Sequence, residues 1–381
     1  MAPISIIDPY NLTITLLITI GYQCLGFAIA WTLQFDKITD FTGGSNFFII
    51  ALITLCTGGS KSYRFIYLAG DHLADPVPSL LCSVCPMLRY FACPYLTYRP
   101  PPRNIVASVL VMIWAARLGG FLLFRVLKTG SDTRFDEMRS HFFKFAGFWA
   151  GQILWVWTVS LPVVILNSPA VSDPARGGTN PKFGTGRDIA GIILFAIGLF
   201  WEALGDIQKF QFKSTKPPKG QPCTKGLWYF SRHPPYFGEI LLHWGLWILC
   251  LSPAVTSLSG RSSESGASRA QYGAIVAPLF TMLLLLFLSG LPTAEKPAAK
   301  KYYEMSYPSD TDSQAEEGQA HTSFTAKNDV WANYKSYLAR TSILIPILPA
   351  LYRPLPEWLK RSVLFDFPMY RFDEEKDGKK V

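Results

Sequence analysis

Two adjacent basic residues interrupt a largely apolar stretch, Gly226 to Gly245, with the sequence GLWYFSRHPPYFGEILLHWG. Arg232 and His233 directly precede two prolines, and proline at the first helical positions favours helix entry. An arginine beside a helix N-terminus is a plausible anion-binding group. Because the prolines remove two N–H donors there, Arg232 would do most of that binding. The alternative is an interfacial pair that extends to lipid headgroups.

The helix predicted after the prolines, which should run to about Cys250, carries three further ionisable residues. Tyr236, Glu239 and His243 are spaced i, i+3 and i+7, so they share one face. The rest of this helix is apolar or aromatic, and ionisable groups on such a helix face a protein interior or a watery cavity. Proton transfer is the chemistry that these side chains offer. The alternative is that neighbouring helices satisfy their hydrogen bonds.

A second charged face lies upstream, in Trp201 to Lys213, with the sequence WEALGDIQKFQFK. On a continuous helix its ionisable residues form one stripe: Glu202, Asp206, Lys209 and Lys213. A short loop joins this stripe to Arg232, so two lysines and an arginine could converge on one pocket. A pyrophosphate or a 2′-phosphate requires such a group of cations. The alternative is a plain helix end with favourably placed cations.

The elements that position these residues are predicted to be membrane helices. The chain is 49% hydrophobic and only 17% charged, whereas soluble domains carry roughly 25% charged residues. Charge-poor runs of membrane length recur, at about 11–33, 46–58, 104–124, 147–167, 188–205, 236–257 and 272–292. The fold class is therefore all-α, a polytopic transmembrane helical bundle of about seven spans.

Lysine and arginine counts predict the orientation of the spans. With seven spans, the side that holds the C-terminus carries 25 of these residues and the side that holds the N-terminus carries 10. We therefore expect a lumenal N-terminus and a cytoplasmic C-terminus, with the Gly226 stretch cytoplasmic. The net charge of +9 follows from this bias and from anionic headgroups. No aromatic-basic module points to nucleic acid.

Five regions are predicted along the chain. They are N-terminal spans at 1–58, an irregular lumenal insertion at 59–102, a catalytic membrane core at 103–305, a disordered linker at 306–330, and an interfacial segment with a charged tail at 331–381. The insertion contains Cys82-x-x-Cys85 and Cys93. A structural zinc site commonly needs two such pairs, so we expect no metal site, and no disulfide framework either.

Several motifs resemble the DUF1295 family, which is related to the C-terminal domain of steroid 5α-reductases and to sterol C14 and C24(28) reductases. The motifs are D-x-Q-K-x-x-F-K at 206–213, GLW with SRHPPYFGE at 226–239, LGxFLLxRxxxxGxDxRFDxxR at 118–139, SGLPxxEK at 289–296 and YKxYLxRTSxLIP at 334–346. The resemblance covers most of 104–296 and 331–349. Pro235 departs from it, since the family usually has asparagine there.

The resemblance implies a membrane reductase that takes hydride from NADPH and reduces an activated C=C bond of a hydrophobic lipid or sterol-like substrate, in the endoplasmic reticulum. It assigns cofactor binding to these residues: Lys209, Lys213, Arg232, His233, Tyr236, Tyr302 and Tyr334. Hydride transfer needs a proton donor, and the candidates are Tyr236 and Glu239, which would also orient the ribose and nicotinamide. Pro235 lacks an amide that would contact the cofactor.

Two other functions stay open. An RHP-x-Y-x-G block also occurs in S-adenosylmethionine-dependent membrane methyltransferases for isoprenylcysteine and phospholipids. That cofactor has no phosphate and no electrostatic need for Lys209 and Lys213, so these lysines favour the dinucleotide. A non-catalytic lipid-binding membrane protein is the third reading, which Pro235 allows. The substrate and the oligomeric state do not follow from the sequence.

Overall fold

The computed structural model describes residues 8–33, 38–57, 100–129, 140–172, 181–218, 220–253, 266–307 and 324–377. In these ranges the secondary structure is helical, and β-type pairing is limited to an isolated bridge between Ser231 and Ser342. The predicted all-α fold class is confirmed for the described part of the chain.

The helices follow one another in chain order. The first six are α1 (Leu12–Thr32), α2 (Thr39–Thr57), α3 (Pro102–Thr129), α4 (Phe142–Leu166), α5 (Pro169–Ser172) and α6 (Gly186–Ser214). After a 3-10 turn (Gly226–Tyr229) come α7 (Pro234–Cys250), α8 (Gly266–Gly273) and α9 (Val276–Leu283). A π turn (Leu284–Leu288) leads into α10 (Leu291–Ser306), followed by α11 (Phe324–Arg340), α12 (Pro349–Tyr352), α13 (Glu357–Ser362) and a 3-10 turn (Pro368–Tyr370).

The chain forms two compact units. Unit 1 contains Met1–Phe195 and His243–Phe280, and unit 2 contains Ala196–Leu242 and Thr281–Val381. Helices α6, α7 and α9 therefore each contribute residues to both units.

In unit 1, helices α1 to α4 pack against one another. Helix α1 shows how the packing is arranged: it buries Thr15, Thr19 and Gln23 while Leu17 and Leu25 are exposed. Such an inverted pattern is unfavourable in water. It suits lipid, where apolar side chains face the hydrocarbon and small or polar residues mediate helix contacts.

A buried ion pair ties the start of α3 to the start of α6 in unit 1. Arg103 Nε lies 2.7 Å from Asp188 Oδ1, and both side chains are 1% exposed. Asp188 also accepts hydrogen bonds from the Gly184 and Thr185 amides and from the Ser252 hydroxyl. With its charge and lone pairs matched, the carboxylate is stable away from water.

In unit 2, α10 packs against α11. Their contact is aromatic and includes Trp331, Tyr334 and Tyr337 from α11. The π turn before α10 closes tightly, because a Cβ at Gly290 would lie 2.2 Å from the Leu285 carbonyl oxygen. The turn and its glycine set where α10 begins, and thereby the position of Glu295 one turn later.

Glycines on α6 allow α7 to approach at backbone distance. In unit 1, a Cβ at Gly191 would lie 2.7 Å from the Gly245 carbonyl oxygen. In unit 2, a Cβ at Gly198 would lie 2.5 Å from the Leu242 nitrogen, and one at Gly205 would lie 3.0 Å from the Pro235 ring. Because Gly191, Gly198 and Gly205 are spaced by seven, they share one face of α6.

Within the described ranges, six helical stretches are long and apolar enough to cross a membrane: Leu12–Thr32, Thr39–Thr57, Pro102–Lys128, Phe142–Ser172, Gly186–Ser214 and Ala267–Ser306. They support an integral, multi-pass membrane protein. The remaining predicted span, 236–257, which is the sixth in chain order, corresponds to α7, which has 17 residues. The count of seven and the orientation therefore stay predictions.

The predicted boundaries of the five regions also remain predictions. Of the insertion at 59–102, residues 59–99 lie outside the described ranges, as do Cys82, Cys85 and Cys93. Of the linker at 306–330, residues 308–323 lie outside them, and helix α11 begins at Phe324.

Candidate functional site

The Arg232 loop, residues 230–233, is fixed by backbone contacts with a later segment. The Arg232 amide donates to the Ser342 carbonyl over 2.8 Å, and the Ser231 hydroxyl donates to the Leu344 carbonyl over 2.8 Å. The His233 amide in turn donates to the Ser231 hydroxyl. The loop is thus held on both sides before α7 begins at Pro234, as the double proline predicts.

Glu295 of α10 joins the two basic residues of this loop. Arg232 Nη1 donates to Glu295 Oε2, and His233 Nε2 lies 2.6 Å from Glu295 Oε1. A second carboxylate, Asp366 Oδ1, lies 3.2 Å from Arg232 Nη2. All four residues are buried. A buried arginine that two carboxylates contact is compensated in charge and fixed in orientation.

The protonation of the two basic residues follows from these neighbours. Burial alone lowers the pKa of Arg232, but the charges of Glu295 and Asp366 outweigh burial and hold this pKa above its ordinary value. Burial lowers the pKa of His233, with Lys209 and Arg232 acting in the same direction and Glu295 opposing them. Arg232 is therefore charged, and His233 tends toward the neutral imidazole.

Tyr236 lies directly on His233. The two rings are parallel, with centroids 5.1 Å apart and planes inclined by 5°. Tyr236 also packs against an apolar cluster of unit 2 that includes Leu286 and Ile343. Glu239, three residues further along α7, is half-buried. The structure thus brings Tyr236 to the Glu295 cluster and places Glu239 on the next turn of the same helix.

The two lysines of α6 differ in their surroundings. Lys209 Nζ lies 4.5 Å above the ring of Trp228, whose indole N–H donates to the Gly205 carbonyl over 2.9 Å. Lys209 is half-buried and acts electrostatically on His233. Lys213, one turn later, is exposed. Of the two predicted phosphate ligands, Lys209 is therefore beside the cluster and Lys213 is on the surface.

The two predicted tyrosines meet each other on the α10–α11 contact. Tyr302 and Tyr334 stack with centroids 4.1 Å apart. Tyr334 is buried, and burial together with the Glu295 charge raises its pKa. Tyr334 thus stays neutral and belongs to the electrostatic surroundings of Glu295.

The prediction from the sequence did not include Glu295 and Asp366 among the site residues. Glu295 had a signal, since it lies in the SGLPxxEK motif at 289–296. Asp366 had none, because it lies in a charged C-terminal stretch without a recognisable pattern. Among the described residues no group of three metal-ligating side chains that could hold a metal ion is found.

A cavity of about 320 Å³ adjoins the cluster in unit 2. Its wall carries four cationic and four anionic side chains: Arg232, Lys335, Lys360 and Arg371, with Glu295, Glu357, Asp366 and Glu374. Aromatic rings also line it, from Trp331, Tyr352, Tyr370 and Phe372. The cavity therefore suits a polar ligand that carries both signs of charge, or an anionic group placed against Arg232.

Comparison with known proteins gives a family and one partial relative. No solved structure matches the chain. A protein of Ustilaginoidea virens named "Probable O-methyltransferase ustE" is 38% identical over 79 residues, which is 20% of this chain and 26% of that protein. The chain thus matches about a quarter of the length of this relative.

The sequence model of DUF1295, described as a protein of unknown function, matches residues 75–310. This range is more than half of the chain and contains all the motifs from α3 to Glu295, and the chain therefore belongs to the DUF1295 family.

Proposed function

We propose that this protein is a membrane-embedded reductase that uses NADPH to reduce a C=C bond in a hydrophobic lipid or sterol-like substrate. The observation that carries the proposal is the arrangement around the buried carboxylate of Glu295, which Arg232 and His233 contact and on which Lys209 acts electrostatically, while Tyr236 stacks on His233. The cluster adjoins an apolar surface that includes Phe237 and Ile240. A charged cofactor and an apolar substrate could therefore bind next to each other at the start of α7.

The residues present are compatible with a phosphate-bearing cofactor. Lys209 and Arg232 would hold its phosphates, and Arg232 Nε is a buried donor without a hydrogen-bond partner among the described residues. NADPH, when bound, supplies the hydride. Tyr302 and Tyr334 offer a stacked aromatic surface next to Glu295.

The chain's own part in the reaction is to supply and hold a proton. Reduction of a C=C bond needs a proton at the second carbon, and a positioned acid must deliver it. Tyr236 is the better candidate, because its ring lies on the imidazole that bonds Glu295. Glu239 is the second candidate. Replacing Tyr236 by Phe should then lower turnover by about 10²-fold or more, while Glu239→Gln lowers it less.

Cofactor binding by the purified protein tests the proposal. We would titrate NADPH, NADH and S-adenosylmethionine, using wild type and the Lys209→Ala/Lys213→Ala variant. Saturable NADPH binding that this variant loses is the expected result. The control is Lys300→Ala/Lys301→Ala, which removes two lysines of α10 outside the cluster. Turnover with sterols and enones would then be followed as NADPH consumption. Failure of NADPH to bind wild type would refute the reductase.

A methyltransferase that uses S-adenosylmethionine is the second candidate. Two observations favour it: the partial relative is named a probable O-methyltransferase, and the cavity carries balanced charges rather than an excess of cations. The amino-acid part of this cofactor carries both signs of charge, and its sulfonium can lie against aromatic rings. Binding of S-adenosylmethionine that is indifferent to Lys209 and Lys213 would support this function. Binding of none of the three cofactors would favour a non-catalytic lipid-binding protein.

A further inference from the structure

The segment from Thr341 to Asp377 contacts the Arg232 loop and the π turn that precedes α10. Its first part carries the bridge of Ser342 to the Arg232 loop, and the Ile347 amide donates to the Phe230 carbonyl over 3.1 Å. Its last part is anchored by Tyr370, whose hydroxyl donates to the Leu286 carbonyl in the π turn over 2.5 Å. The segment is thus attached at both ends to the elements that carry Arg232 and Glu295.

Asp366 lies at the centre of this segment. Its side chain is 7% exposed and has three cationic or hydroxyl neighbours. Oδ1 lies 3.2 Å from Arg232 Nη2, Oδ2 accepts the Tyr352 hydroxyl over 3.0 Å, and Arg371 Nη2 lies 3.7 Å from Oδ2. Its amide donates to the Lys360 carbonyl. The carboxylate is therefore held from several sides in one orientation.

The backbone before Asp366 is constrained. Phe365 has φ of 62°, in the left-handed region that residues with a Cβ rarely adopt. Such a conformation persists where surrounding contacts determine it, and it is found often at functional sites. Here the constrained residue directly precedes Asp366, whose carboxylate contacts Arg232.

The carboxylates of Glu295 and Asp366 contact different nitrogens of the Arg232 guanidinium group. Glu295 binds Nη1 and Asp366 contacts Nη2, so the plane of the group is fixed from two separate parts of the chain. Nε is buried and has no partner among the described residues. Of the three guanidinium nitrogens, Nε is thus the one that neither carboxylate contacts, and its N–H can donate to another molecule.

We propose that Asp366 is a positioning residue, which holds Arg232 so that its Nε–H is available to an oxygen of the bound cofactor. The inference deepens the proposed function and rests on it. It also makes the C-terminal segment, which lies beyond the family match at 75–310, a part of the binding site. Two other roles give different results: Asp366 could serve stability alone, or it could compete with the cofactor for Arg232.

The test compares Asp366→Asn with wild type in the full-length, detergent-purified protein. This variant removes the charge and keeps the shape and an acceptor for Tyr352. We expect the Kd for NADPH to rise about tenfold, the scale of one well-placed hydrogen bond to a charged group. Asp373→Asn, an exposed carboxylate of the same segment, is the control and should bind as wild type does. Tyr352→Phe, which keeps the charge of Asp366, should weaken binding less.

A second measurement does not depend on the cofactor. Phenylglyoxal labels accessible arginines, and mass spectrometry of the labelled protein reports each one separately. Asp366→Asn should raise labelling of Arg232 several-fold and leave that of Arg340 unchanged. If Asp366→Asn changes neither the labelling of Arg232 nor the Kd for NADPH, the role of Asp366 is purely structural and the proposal is overturned. This holds even if the variant has a lower thermal midpoint. Tighter NADPH binding in Asp366→Asn would overturn it in favour of competition.

The two readouts separate this inference from the proposed function. If wild type binds S-adenosylmethionine instead of NADPH, the reductase fails, and the same comparison of Kd values is made with that cofactor. If wild type binds neither cofactor, the proposed function is refuted. The inference that Arg232 Nε–H donates to a cofactor is then refuted as well. Increased Arg232 labelling in Asp366→Asn would then support only the positioning of Arg232 by Asp366.

Discussion

At the scale of single residues, Glu295 is the group on which the site depends. It accepts from Arg232 and lies 2.6 Å from His233 Nε2, and its side chain is 8% exposed. Glu295→Gln would leave Arg232 with Asp366 as its one remaining counter-charge among the described residues. Removal of one partner of a buried pair costs roughly 3–5 kcal/mol, so we expect the free energy of unfolding in detergent to fall by about this amount.

The control for this prediction lies on the same helix. Glu304 pairs with Lys300 across 3.5 Å, but both side chains are more than two-fifths exposed. Exposed pairs contribute roughly 0–1 kcal/mol, so Glu304→Gln should change stability little. Equal losses in the two variants would mean that the cluster around Glu295 does not exist as described.

The pKa of His233 predicts a pH dependence of stability. Burial lowers this pKa below its value of 6.5 in an unfolded chain. Below about pH 6.5 the unfolded state therefore binds more protons than the folded state, and stability decreases as the pH falls. Between about pH 6.5 and 5, the thermal midpoint of wild type should fall more steeply than that of His233→Asn. His141→Asn, which changes an exposed imidazole, should keep the wild-type slope.

At the scale of elements, the close contact of α6 with α7 depends on glycine. A Cβ at Gly198 would lie 2.5 Å from the Leu242 nitrogen and 2.6 Å from the Gly238 carbonyl oxygen, and both are backbone atoms. Gly198→Ala should force the helices apart and destabilise the protein by about 1–3 kcal/mol. The measurement is the midpoint of thermal unfolding.

Gly120 offers a matched comparison. It is also a helical glycine, but a Cβ there would meet nothing within 4 Å. Alanine favours a helix over glycine by roughly 0.8–1 kcal/mol, so Gly120→Ala should be neutral or stabilising. A stable Gly198→Ala protein would show that α6 and α7 can separate without loss.

The sequence predicted the elements better than their ends and contacts. The double proline at 234–235 marked the start of α7 correctly. The charge-poor run at 188–205 is only part of its helix, which continues to Ser214 as the charged stripe requires. Glu202, inside that run, is buried within the protein. A hydropathy profile treats every ionisable residue as polar, and it carries no information on whether the folded protein buries that residue.

The cluster shows the same limit. The motif residues Arg232, His233 and Tyr236 do lie together, as their spacing predicts. Glu295, the common partner of Arg232 and His233, is 62 residues from His233, and Asp366 is farther still along the chain. Local periodicity indicates which face a residue occupies but not what that face meets. Only the motif at 289–296 pointed to Glu295, and nothing pointed to Asp366.

At the scale of the whole molecule, α7 decides the topology. Its 17 residues span about 26 Å, at the lower limit for the roughly 30 Å hydrocarbon core. If α7 crosses the membrane with the six longer stretches, the two ends of the chain lie on opposite sides. If it does not, they lie on the same side. With seven crossings, the excess of lysine and arginine on the side of the C-terminus predicts a cytoplasmic C-terminus.

Glycosylation mapping distinguishes the two topologies. An acceptor sequence would be fused to either end of the chain, in an Asn11→Gln background because Asn11-Leu12-Thr13 is itself an acceptor sequence. We expect glycan on the N-terminal fusion and none on the C-terminal fusion, because glycosylation occurs on the lumenal side. The same result at both ends would mean an even number of crossings. The Arg232 loop, which follows the fifth of the six long stretches, would then lie on the membrane side opposite to both ends. A cytoplasmic NADPH pool would reach it only if both ends were lumenal.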